Sequence, residues 1–282
     1  MDVVFEAFEP AFMQRALLGS LIAVVATSLV GTWVVLRGLA FLGDALAHGV
    51  IPGIALAVLW GFSPIIGAFL AALVMSGLVS AVSNRTVVRE DTAIGLLFVG
   101  MLSLGIVIVS RAQSFATEVT ALLFGDVLGV TRGDIRNQML ATAIVVVASI
   151  VLYRPFLALT FNRDKAQTLG MHPRLAQAAL LASLALSIVA SFQAIGTLLV
   201  FGLLVGPPAT AALVVHRVPA IMITSMLTGA VAVFAGLLVS FHHGTAGGAT
   251  MAGFSAVQFF VVLAGREALL AFRRARHTPA FS

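Results

Sequence analysis

Cysteine is missing from this chain of 282 residues. Disulfides and thiolate metal sites are excluded by that alone. Charge is scarce as well: Asp, Glu, Lys and Arg together make up 10% of the residues, where water-soluble domains run at roughly a quarter. A chain with so little polar surface cannot cover itself in water. No Gly-x-x-x-x-Gly-Lys-Ser/Thr occurs, so the phosphate-cradling loop of an ATP-hydrolysing subunit is not here. Ten-residue stretches of alternating polarity, the mark of a membrane barrel, do not occur either. The first ten residues are acidic rather than basic, and no small-residue cleavage site follows the first apolar run. That run is therefore expected to stay as a span rather than to be removed as a signal.

What is abundant is apolar sequence. Hydrophobic residues make up 60% of the chain, with a mean hydropathy of +1.11. Lipid requires every backbone polar group to be satisfied internally, so the chain reads as an all-α polytopic integral membrane protein. A spanning helix needs about 20 mostly apolar residues. On that measure, spans fall near Phe12–Leu36, Leu42–Gly61, Pro64–Ser83, Thr92–Ser110, Arg136–Tyr153, Leu175–Ser191, Thr197–Val215, Pro219–Phe241 and Thr250–Phe272. The count is about nine, with eight possible. Glu118–Val130 is too short to span and reads as a re-entrant or interfacial helix on the outer side. No linker or repeat divides the chain, so residues 1–282 are expected to form a single transmembrane domain.

The basic residues orient it. With the C-terminus in the cytoplasm and nine spans, the inner side receives Arg37, Arg85, Arg89, Arg154, Arg163, Lys165, Arg174, Arg217, Arg266, Arg273, Arg274 and Arg276. The outer side keeps Arg15, Arg111, Arg132 and Arg136, which agrees with the positive-inside rule. The N-terminus is then outside.

Against this background one stretch stands out: Arg37-Gly-Leu-Ala-Phe-Leu-Gly-Asp-Ala-Leu-Ala-His-Gly, residues 37–49. Asp44 and His48 lie four residues apart, on one face of a helix, inside an apolar run. A carboxylate and an imidazole so placed suit a divalent transition metal such as zinc or manganese. An ionisable group within a span is costly and reads first as function. The plainer alternative is a capping Asp44 and a His48 bonded to nearby backbone.

Other candidates are weaker. His242 and His243 precede the glycine-rich turn Gly244–Gly248 at an outer span end, where they are either a metal-catching pair or simply solvated. Residues 154–174 form the longest inner polar segment, with Asn162 and Gly170 placed to cap a short helix. Such a helix either docks a soluble partner or is a solvated connector. Pro52 and Pro207-Pro208 remove backbone donors and predict kinks or breaks. The Gly49/Gly53, Gly125/Gly129 and Gly202/Gly206 spacings predict close helix approach.

Residues 37–55 resemble the signature of the zinc/manganese/iron ABC transporter permeases. Matching segments follow in order: Glu90-Asp-Thr-Ala-Ile-Gly-Leu-Leu-Phe, Leu122-Leu-Phe-Gly-Asp-Val-Leu-Gly-Val-Thr, and Ile195-Gly-Thr-Leu-Leu-Val-Phe-Gly-Leu-Leu-Val-Gly-Pro-Pro-Ala-Thr-Ala. The resemblance covers nearly the whole chain. It implies the membrane subunit of a metal importer in a prokaryotic plasma membrane, a transport subunit and not an enzyme. It implies a homodimer, a separate ATPase subunit and an extracytoplasmic metal-binding protein as partners, with no nucleic acid and no permanently bound cofactor. Asp44 and His48 become the metal ligands, and Asp164, Ala166 and Gly170 mark the coupling helix that meets the ATPase. The implied cargo is a divalent metal, zinc first and manganese next. Many relatives carry an acid in the loop before the last span, where this chain has His242-His243-Gly244. The rival readings are a permease for chelated metal or cobalamin-like cargo, and a self-sufficient metal channel or carrier.

Overall fold

The computed structural model describes residues 6–85, 90–110, 129–161 and 172–277, without the side chains at 83–85, 90, 193–194, 197–198 and 273–277. Among the described residues the chain is helical, with no strand. The helices, in order, are α1 (Ala11–Leu36), α2 (Ala40–Gly49), α3 (Ile51–Trp60), α4 (Pro64–Arg85), α5 (Glu90–Ser110), α6 (Arg132–Val151), α7 (Tyr153–Phe161), α8 (Pro173–Ile195), α9 (Thr197–Val214), α10 (Val218–His243) and α11 (Gly247–His277).

Eight segments are long and apolar enough to cross a membrane, with α2 and α3 together forming one of them. The apolar part of α9, Leu199–Val214, is shorter than these eight. The nine expected spans each match a helix, and the ambiguity between eight and nine rests on α9. The expected re-entrant segment Glu118–Val130 lies outside the described residues except for Gly129 and Val130, and the coupling segment Asp164–Gly170 lies wholly outside them.

Local chemistry sets the boundaries. Proline occupies the first turn of α3, α8 and α10, where its missing donor costs nothing. Gly38 ends α1 at φ 70°, with Leu39 N–H donating to Val34 and Gly38 N–H to Val35. Gly61 ends α3 at φ 71° in the same way, through Ala57 and Val58. Both are Schellman closures, which need the left-handed conformation that glycine adopts freely. Thr131 and Asp134 start α6 with a reciprocal capping box. The expected interruption near Pro52 falls at Val50, between α2 and α3. Pro207 and Pro208 do not end α9, which runs through them. α7 was not expected: Arg154 and Pro155 make its first turn read as loop, yet Phe156 is buried against Trp33.

α1 is the hub. It packs on α9, α10, α6 and α8, while α3, α4 and α5 form a second group and α9, α10 and α11 a third. α2 lies between these groups, against α5, α9, α8 and α4. Trp33 of α1 is fully buried and meets Tyr153 and Phe156 edge-on, at centroid distances of 5.6 and 5.8 Å. Small residues bring helices together as their spacing predicts. A Cβ on Gly53 would strike the Gly67 carbonyl, and one on Gly206 the Ser255 hydroxyl. Some hydroxyls inside the spans bond back to their own helix, as with Thr27 to Ala23 and Thr32 to Ser28, while Ser255 of α11 donates across to Gly202 of α9. Large apolar side chains on α5, α6 and α11, including Leu96, Ile106, Leu140, Ile150 and Phe260, face outward. That is an inverted surface for water and an ordinary one for lipid.

Candidate metal path

Asp44 and His48 project from α2 one turn apart. His48 Nδ1 lies 3.3 Å from Asp44 Oδ1 and 3.1 Å from the Asp44 backbone oxygen. A proton on Nδ1 donates to these oxygens, and Nε2 is then left with its lone pair for a metal. The carboxylate keeps a second oxygen for the same task. Both side chains are 29% exposed in the isolated chain. The imidazole stands edge-on to Phe98 of α5, with centroids 5.9 Å apart, and Phe98 stands edge-on to Phe41 at 5.7 Å. An aromatic pair thus walls one side of the polar pair. Nothing local in the sequence announced Phe98, which reaches the site only because α5 packs on α2.

The helix carrying the pair is held from behind by its glycines. A Cβ on Gly43 would collide with the side chain of Leu204 in α9, and one on Gly49 with the sulfur of Met75 in α4. Leu204 was not a sequence candidate either, since its contact with Gly43 joins segments far apart in the chain.

Among the described residues no group of three or more His, Asp or Glu gathers in one place. Asp44 and His48 therefore offer two side-chain ligands, where zinc and manganese take roughly four to six. His242 and His243 lie in the last turn of α10, both exposed, rather than in the loop beyond it. Their Nδ1 atoms sit 2.9 and 3.2 Å from the Leu238 and Val239 backbone oxygens. They are not brought near Asp44 as part of any such group.

A polytopic helical bundle with a nitrogen–oxygen pair set inside one span fits a membrane transport protein. Residues 9–266 match the model of the ABC 3 transport family, and the chain belongs to that family. It is 32% identical over 241 residues to the manganese transport system membrane protein MntC of Halalkalibacterium halodurans, covering 86% of this chain and 82% of that one. It is 30% identical over 262 residues to the chelated iron transport system membrane protein YfeD of Yersinia pestis, covering 93% and 88%. Among solved structures it is similar to PsaBC from Streptococcus pneumoniae in complex with Fab, with a TM-score of 0.81, 28% identity, and coverage of 93% of this chain and 94% of that one.

Proposed function

We propose that this chain is the permease subunit of an ABC importer for a divalent transition metal, and that the metal passes through Asp44 and His48. The carrying observation is their placement: a carboxylate and an imidazole in contact, partly buried, inside a membrane span of a chain of this family. Such a pair does not face hydrocarbon without large cost. It faces a water-filled path or a second copy of the chain, and either one supplies the ligands that two side chains cannot. We read the assembly as a homodimer with the path near its two-fold axis, the N-terminus outside and the C-terminus in the cytoplasm. A separate ATPase subunit meets the segment Asp164–Gly170, and an extracytoplasmic protein delivers the metal.

The cargo we put first is manganese. Manganese transport is in the name of one relative reported above, and zinc is in the name of neither. A nitrogen–oxygen pair accepts both ions, so zinc remains the direct competitor. The name of YfeD favours chelated iron as the second reading. An open two-ligand site suits transport, because a closed cage would hold the ion too tightly to release it.

The test is uptake by cells lacking this chain and its transport partners, complemented with the complete system. Saturable manganese uptake, inhibited by free zinc and indifferent to chelated iron, supports the proposal. Uptake of the chelate with no response to free metal would replace it with the second reading.

A further inference from the structure

One groove outside the proposed path is built like a lipid site. The end of α9 and the second half of α11 part to leave a space of about 360 Å³, lined by Leu213, Val214, Val262, Gly265, Leu269 and Arg266, among others. Val214 and Leu269 are 60% and 61% exposed, so the space opens sideways from the bundle. Arg266 lies nineteen residues beyond Gly247, the first residue of α11. At 1.5 Å per residue that is about 28 Å along the helix, roughly the thickness of the hydrocarbon core. The guanidinium is thus near headgroup depth, with Val262 one turn deeper, toward the acyl chains, and Leu269 one turn beyond it.

The charge at this end is mostly positive. From Gly196 to His277 the sole acid is Glu267. Its carboxylate stands 3.8 Å from the Arg266 guanidinium, and both side chains are well exposed, a geometry that binds weakly. Arg217 precedes α10 at the same end, and Arg273, Arg274 and Arg276 continue α11.

We propose that this groove holds an anionic phospholipid, with an acyl chain along Leu213 and Val262 and the phosphate on Arg266. A guanidinium grips a phosphate through two parallel N–H donors, and basic pockets between spanning helices are suited to anionic headgroups. The apolar lining and the sideways opening favour a lipid over a soluble protein.

The test uses the purified full-length permease in detergent, with retained lipid read by native mass spectrometry. Phosphatidylglycerol is retained in preference to phosphatidylcholine. Arg266→Gln lowers its retention on the order of tenfold, the scale of one charged hydrogen-bonded contact, and Arg266→Lys restores part of it. A Cβ on Gly265 meets nothing within 4 Å, so Gly265→Leu fills the groove without disturbing the fold and lowers retention with Arg266 intact. Inorganic phosphate at the same concentration does not displace the lipid. Equal retention of both lipids, unchanged retention in both variants, or displacement by phosphate overturns the proposal. So does loss of a second copy or of the ATPase on Arg266→Gln with lipid retention unchanged, since the groove would then be a protein contact.

Discussion

The side chain of Leu204 fills the space that a side chain on Gly43 would need. The backbone oxygen of the same Leu204 approaches Gly31 of α1 so closely that a Cβ there would collide with it. That oxygen would ordinarily accept from the N–H four residues on, but residue 208 is proline. One residue of α9 therefore keys together the hub helix and the helix that carries Asp44 and His48. Gly43→Ala should cost about 1–3 kcal/mol by overpacking. Leu204→Ala should cost about 2–5 kcal/mol through the lost contact and cavity. The double variant should cost less than the sum, with a coupling of roughly 0.5–3 kcal/mol. Denaturation midpoints of the purified permease check this, and strict additivity would mean the two residues do not share a contact that matters.

The α2–α3 segment should also depend on Gly53 and Gly67. Each would put a Cβ into the other's carbonyl oxygen, and neither backbone can yield as a flexible side chain can. Alanine at either position should force α3 and α4 apart, lower stability and reduce the amount of protein in the membrane. Membrane abundance measured by immunoblot is the readout. Wild-type abundance of both variants would mean that the helices separate without penalty.

At the opposite extreme, Asp134 caps the start of α6. Its Oδ2 accepts from the Thr131 N–H at 3.0 Å, and the Thr131 hydroxyl oxygen accepts from the Asp134 N–H at 3.2 Å. Asp134→Ala should cost about 1 kcal/mol, the usual worth of a cap, and leave metal uptake unchanged. Loss of uptake at normal abundance would give Asp134 a transport role.

Metal binding to the permease should weaken as pH falls from 8 to 5. The sign follows from coordination: His48 binds metal only as neutral imidazole, and a proton removes the lone pair and adds a like charge. Affinity is therefore full at the alkaline end and lost toward the acid end. Calorimetric titration with manganese across this range is the check. Binding that does not change with pH would remove His48 from the ligand set and leave oxygen donors alone.

The spans were legible because uninterrupted apolar runs of this length have few alternatives to crossing a membrane. The same background made Asp44 and His48 conspicuous, and Pro52 marked the interruption between α2 and α3 to within two residues. Other features were hidden for physical reasons. α7 opens with Tyr153-Arg154-Pro155, a polar start that looks like a loop until Phe156 is seen packed on Trp33. Phe98 beside His48 and Leu204 behind Gly43 come from segments distant in the chain, and no local periodicity records such contacts. The prolines of α9 looked like breakers, but a helix packed on α1, α10 and α11 continues through them. The choice among metals was not legible because a carboxylate and an imidazole serve several divalent ions.

The central claim is that Asp44 and His48 carry the cargo. Its most direct test is manganese uptake by cells whose only copy of this permease bears Asp44→Asn and His48→Ala together, with membrane abundance measured in parallel. Both residues are partly exposed and neither anchors the core, so the protein should reach the membrane at normal level and uptake should be lost. Wild-type uptake by the double variant would contradict the account and place the metal path elsewhere in the bundle.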